Sequence, residues 1–148
     1  MTDTCPITGL RNILVATDGS ACSEKALFEA INLARSCGTT LHIMSVVEIN
    51  EEYEALAPQI VEKADEEAKM FLDAAKKCAE RENVTCHIIV HRGEDPAHFI
   101  VEEAERLKAD MIVMGKHGKA KALRKLFVGS VTAKVVSHAR CKVLIVPN

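Results

Sequence analysis

The chain predicts an α/β fold, a doubly wound five-stranded parallel sheet with helices on both faces. Three observations carry this. Short apolar segments alternate with longer amphipathic ones along the whole chain. Four of the five strand-like segments are continuous apolar runs, the pattern of strands buried on both faces. The segments are separated by Gly, Pro, Asp and Ser, residues suited to turns and helix caps.

The elements follow in order. Met1–Leu10 reads as a lead-in. Asn12–Ala16 (NILVA) is the first strand. Thr17-Asp18-Gly19-Ser20 turns, and Ser20 is placed to cap a helix running to about Ser36. Ala26, Leu27, Ala30, Ile31 and Ala34 form its apolar stripe, and Cys37-Gly38 ends it. Thr40–Val47 is the second strand. Glu48–Gln59, acidic and containing Pro58, reads as an irregular loop. A long helix is expected over Ile60–Arg81, on a stripe of Ile60, Ala64, Ala68, Phe71, Leu72, Ala75, Cys78 and Ala79. Val84–His91 is the third strand. Asp95 and Pro96 signal another helix start, with Ala97, Ile100, Val101, Ala104 and Leu107 inward. Ala109–Met114 is strand four, Ser130 to about Ala139 a short helix, and Lys142–Val146 (KVLIV) the last strand.

Bulk properties exclude several classes. With 148 residues and 48% hydrophobic content, the chain is expected to form one domain over 1–148 and is not disordered. Its apolar runs are too short to span a bilayer. Met1–Leu10 has neither a basic nor an apolar leader region, so a cytoplasmic location is expected. None of the six cysteines lies in a CxxC pair, and they read as small buried hydrophobes. Cys86, His87 and His91 form a close Cys/His group, on a strand that turns Cys86 and His87 to opposite faces, so no metal site is expected. There is no Trp and one Tyr, which leaves little for stacking on nucleic-acid bases.

The functional signal lies between Met114 and Thr132. A buried-looking strand feeds Gly115 and Gly118, a basic run follows, and Gly129-Ser130 opens the next helix. Glycine admits close approach of backbone N–H groups, and a helix start adds free donors and a positive dipole end. Residues 111–148 carry eight cations and no acid, whereas residues 1–110 total −10, so a net charge of −2 hides a split chain. Strand, glycine loop, cations and helix start together suit a phosphate. In parallel sheets ligands bind beyond the carboxyl ends of the strands, where strand order reverses. The loops Thr17–Ser20 and Gly115–Gly129 are the candidates for that crevice. The chain has neither a GxxxxGK[ST] loop nor a GxGxxG after strand one.

Three stretches in the same order are more specific: ILVATDGS, RGEDPAHFIVEEAERLKADMIVMGKHG and GSVTAKVVSHARCKVLIVP. Over about residues 11–147 the chain resembles the universal stress protein family. The glycine motif of that family's nucleotide-binding branch is Gly-x2-Gly-x9-Gly-[Ser/Thr]. Here it reads Gly115-x2-Gly118-x10-Gly129-Ser130, one residue longer. The resemblance implies an adenine-nucleotide alpha-hydrolase-like, Rossmann-like sheet of order 3-2-1-4-5 and binding of ATP, with Mg²⁺ or Mn²⁺ as companion. It would place Ala16, Thr17 and Asp18 near the adenosine and Val46 in the adenine pocket. Met114 and Gly115 would lie by the ribose and phosphates, and His117, Gly118, Gly129, Ser130, Val131 and Thr132 around the phosphates. Lys116, Lys119 and Lys121 are candidate neutralising charges. The resemblance also implies a homodimer through Lys142–Val146, a short apolar edge strand that needs a partner or a cover.

No general base other than Asp18 is legible beside the glycine loop, and no Ser-His-Asp set is present. The HxGH of adenylyl-transferring relatives is missing after strand one; His91-Arg92-Gly93-Glu94 is a partial echo elsewhere. The expected role is therefore ATP binding in stress response or signalling. A slow Mg²⁺-dependent ATPase and a dimeric interaction module without nucleotide remain alternatives, the latter favoured by the longer glycine spacing.

Overall fold

The computed structural model describes residues 9–118 and 128–148. Its elements are β1 (Asn12–Ala16), α1 (Ala21–Cys37), β2 (Thr40–Glu48), α2 (Glu51–Leu56), α3 (Pro58–Arg81), β3 (Cys86–Gly93), α4 (Pro96–Arg106), β4 (Met111–Gly115), α5 (Ser130–His138) and β5 (Lys142–Val146). The strands form one parallel sheet in the order β3-β2-β1-β4-β5. Strand order reverses on either side of β1, so the crevice at its carboxyl end lies between β1 and β4.

Side-chain alternation divides the core into two layers. Ile13, Val15, Leu41, Ile43 and Val113 point to the layer beneath α1 and α3. Leu14, Met44, Ile112 and Met114 point to the layer beneath α4 and α5. Ile13, Leu14 and Val15 are all fully buried, so β1 is covered on both faces. Slipping its register by one residue would exchange the two layers wholesale.

Helix ends explain where the structure departs from the expected boundaries. Ser20 caps α1 through its side chain, and Gly38 closes it in the left-handed region, as expected. At the end of α3, Asn83 takes φ 59°. Val84 N–H donates to Ala79 O and Asn83 N–H to Glu80 O, both at 3.0 Å. This is a Schellman closure. Val84 is thus the apolar plug of that turn, and β3 starts later, at Cys86. The same closure recurs after α4, with Lys108 at φ 53°. There Ala109 N–H donates to Ala104 O at 2.8 Å, so Ala109 plugs the turn and β4 starts at Met111.

The stretch expected to be an irregular loop holds α2, capped by the Asn50 side chain, which accepts from Tyr53 N–H at 2.7 Å. No α2 residue is buried, so its sequence has no apolar stripe to reveal it. Pro58 stands in the first turn of α3, where its missing N–H costs no helical bond. The buried stripe of α3 is Val61, Ala68, Leu72, Ala75 and Ala79; Ile60 is 54% exposed. Cys22 and Cys86 are buried, and burial pushes the Cys86 thiol up to about 11. Cys37 is disulfide-bonded, contrary to the expectation from composition.

Candidate functional site

The site is built from the loop after β1 and the loop after β4. β1 ends at Ala16, and Thr17 continues its line by donating its N–H to Met44 O on β2 at 2.9 Å. The Thr17 hydroxyl is buried, 2.9 Å from the Ser23 hydroxyl on α1, and accepts from Gly19 N–H at 3.3 Å. Ser23 Oγ donates in turn to Ser20 O at 3.0 Å. Gly19 turns the chain at φ 80°, in the region that favours glycine. Asp18 Oδ1 then accepts from Ser20 N–H at 2.9 Å, which fixes the carboxylate. Asp18 thus braces the turn as well as facing the crevice. Its other oxygen faces across the crevice.

That oxygen meets the second loop. A Cβ placed on Gly118 would lie 2.5 Å from Asp18 Oδ2, so the carboxylate rests where only a glycine leaves room. The two loops that chain order made possible neighbours are thus in contact. Gly115 is held as closely from the other side. A Cβ there would meet Cys22 Sγ at 2.8 Å and the Cys22 main chain at 3.1 Å. Helix α1 packs directly on the end of β4.

The Lys116 peptide joins three parts. Its N–H donates to Val146 O, at the end of β5, at 3.0 Å, and its carbonyl accepts from Gly129 N–H at 2.9 Å. That second bond brings the start of α5 beside the first glycines. A Cβ on Gly129 would lie 3.1 Å from His117 Cα. Gly129 caps α5 without a side-chain bond, and the first main-chain bond runs from Ala133 N–H to Gly129 O. The N–H groups of Ser130, Val131 and Thr132 precede that ladder and have no intrahelical acceptor. They are the N-terminal end of a helix, the kind of end that suits an anion. Ser130 is exposed, and His117 and Val131 are half-buried.

Thr132 is buried, and its hydroxyl donates to Gly115 O at 2.9 Å. It ties α5 to β4. Val46 stands two residues beyond the β2 partner of Ala16, in the layer that also holds Met114. Lys119 and Lys121 lie outside the described residues. Sequence reasoning missed Ser23, although its spacing of three from the cap Ser20 was a signal, and it missed the part Phe71 plays at Gly19, for which no signal existed.

A cavity of about 600 Å³ opens one strand over, at the carboxyl ends of β2 and β3. Glu51, Glu52, Glu54, Glu94 and Arg92 line it. Arg92 is paired with Asp65 and with Glu54. A predominantly acidic wall repels phosphate, so charge disfavours an anion in this hollow.

A doubly wound α/β protein whose glycine-lined crevice opens at the switch point is defined by these features. The universal stress protein family model matches residues 9–147, and the chain belongs to that family. It is 37% identical over 140 residues to universal stress protein MJ0531 of Methanocaldococcus jannaschii, covering 92% of this chain and 81% of the relative. The structure of universal stress protein UspA from Lactobacillus plantarum superposes with a TM-score of 0.84 at 26% identity, covering 93% of this chain and 97% of that one. A universal stress protein solved in complex with cAMP superposes with a TM-score of 0.69 at 27% identity, covering 93% and 97%. Among the described residues no helix is long and apolar enough to cross a membrane.

Proposed function

We propose that this chain is a single universal stress protein domain that binds ATP in the crevice between β1 and β4 and acts in stress response or signalling as a cytoplasmic homodimer. The observation that carries this is the contact of Asp18 Oδ2 with Gly118 beside the open start of α5. It sets an acceptor for ribose or adenine opposite donors for phosphates. The N–H groups at the start of α5, beside Gly118 and Gly129, would suit a phosphate chain. The cAMP complex of a relative supports an adenine ligand. A divalent ion, Mg²⁺ or Mn²⁺, would reach the chain through the phosphates, with Asp18 as the nearby carboxylate.

Ala16, Thr17, Asp18 and Val46 would border the adenosine. Met114, Gly115, His117, Gly118, Gly129, Ser130, Val131 and Thr132 would follow the ribose and phosphates. No carboxylate occurs after Asp110, which leaves Asp18 as the local candidate base and makes binding, with slow hydrolysis at most, the favoured role. The homodimer would form through β5, an edge strand whose Val143–Val146 are only half-buried in the single chain.

The test is calorimetric titration of Mg²⁺–ATP into protein freed of co-purified nucleotide, alongside the Gly118→Ala/Gly129→Ala double variant. Micromolar binding by the wild type, lost in the variant, is expected. No heat from the wild type would refute nucleotide binding and favour the interaction module to which the longer glycine spacing points.

A further inference from the structure

We infer that Phe71, on α3, is a positioning residue for the nucleotide crevice: its ring holds the Gly19 turn and thereby keeps the Asp18 carboxylate against Gly118. The inference rests on the nucleotide-binding reading of that crevice and adds to it a residue outside the glycine motif.

The geometry is a clamp. A Cβ on Gly19 would fall 2.9 Å from Phe71 Cδ2 and 3.1 Å from Cε2, so the ring occupies the space a side chain would take. Phe71 is half-buried and packs on the core layer beneath α1 and α3. The turn is also tied to α1 by the Thr17–Ser23–Ser20 hydroxyl bonds. Gly19, exposed on its remaining surface, thus lies against an aromatic ring at a helix start. Glycine populates both signs of φ with little preference. The observed φ of 80° is therefore not enforced by Gly19 itself, and the ring adds its packing to the hydrogen bonds that hold it.

What the turn holds in place is Asp18. Its Oδ1 depends on Ser20 N–H, one residue past Gly19, and its Oδ2 lies at the Gly118 cradle. A change of φ at Gly19 swings Ser20 N–H away from Asp18 Oδ1. The carboxylate then loses its bond from Ser20 N–H. Phe71 contacts the turn and acts on the ligand only through it.

The experiment compares Phe71→Ala with Leu72→Ala, its neighbour on α3. Leu72 is 1% exposed and belongs to the same core layer, so its truncation costs stability without touching Gly19. Phe71→Ala is expected to raise the Kd for Mg²⁺–ATP about tenfold, and Leu72→Ala to change it less than about twofold, at a temperature where both are folded. In an Asp18→Ala background, Phe71→Ala is expected to cost no further affinity. Equal losses for Phe71→Ala and Leu72→Ala, or full additivity with Asp18→Ala, would overturn the positioning role. If the wild type binds no ATP, the nucleotide reading fails, and amide exchange in the free protein still decides this point. Ser20 N–H, measured relative to the Leu14 amide, is expected to exchange faster in Phe71→Ala than in Leu72→Ala; equal ratios would overturn the inference.

Discussion

Gly118→Ala tests the contact on which the site is built. Gly118 does not occupy the left-handed region, so alanine carries no backbone penalty there. The cost must come from the new methyl, which would sit 2.5 Å from Asp18 Oδ2. No real Cβ tolerates that distance. The cheapest relief is rotation of the Asp18 carboxylate, and that gives up the 2.9 Å bond from Ser20 N–H. A hydrogen bond to a charged group contributes about 1.5–3 kcal/mol, so a loss of about 1–3 kcal/mol in unfolding free energy is expected. Urea denaturation reads it directly. The decisive arm is the double-mutant cycle with Asp18→Ala. With the carboxylate gone the methyl has room, so Gly118→Ala is expected to cost less than about 0.5 kcal/mol in that background. Equal losses in both backgrounds would refute the claim that Asp18 rests on Gly118.

Other outcomes follow from the same structure. Gly115→Ala would press a methyl to within 3.1 Å of the Cys22 main chain, which cannot yield without moving α1, and a loss of about 1–3 kcal/mol by urea denaturation is expected. Lys108 is exposed and holds a left-handed φ of 53°; Lys108→Gly is expected to gain about 1 kcal/mol and raise Tm. His42 is 8% exposed, and burial, then the stacked His87, hold its pKa below the ordinary 6.5. The unfolded chain therefore binds more protons, so stability is full above 6.5 and falls as pH drops through the lowered pKa. His42→Gln is expected to flatten that acid limb in pH-dependent thermal melts. Sedimentation equilibrium is expected to find a dimer, and a monomer at all concentrations would remove β5 as an interface.

Much of the fold was legible because the sequence carried local signals for it. The apolar runs NILVA and KVLIV marked β1 and β5, and Ser20 and Gly38 bracketed α1. What escaped was set by tertiary context. Val84 and Ala109 look like strand residues, yet each plugs a helix end, because Asn83 and Lys108 adopt left-handed turns that no glycine announces. Helix α2 buries nothing and so leaves no periodicity. In the site, the glycines were visible as glycines, but their reasons were not. Gly118 makes room for Asp18, Gly115 for Cys22 and Gly19 for Phe71, and each partner is distant in sequence. Thr132, expected around the phosphates, also ties α5 to Gly115 O through its hydroxyl, a partner that no local signal names.

Backbone amide shift mapping during a Mg²⁺–ATP titration tests the central claim most directly. Saturable shifts gathered at Asp18–Ser20, Gly115–Gly118 and Gly129–Thr132 are expected. Shifts confined to the acidic hollow around Glu51, Arg92 and Glu94, or no shifts at millimolar ATP, would contradict it.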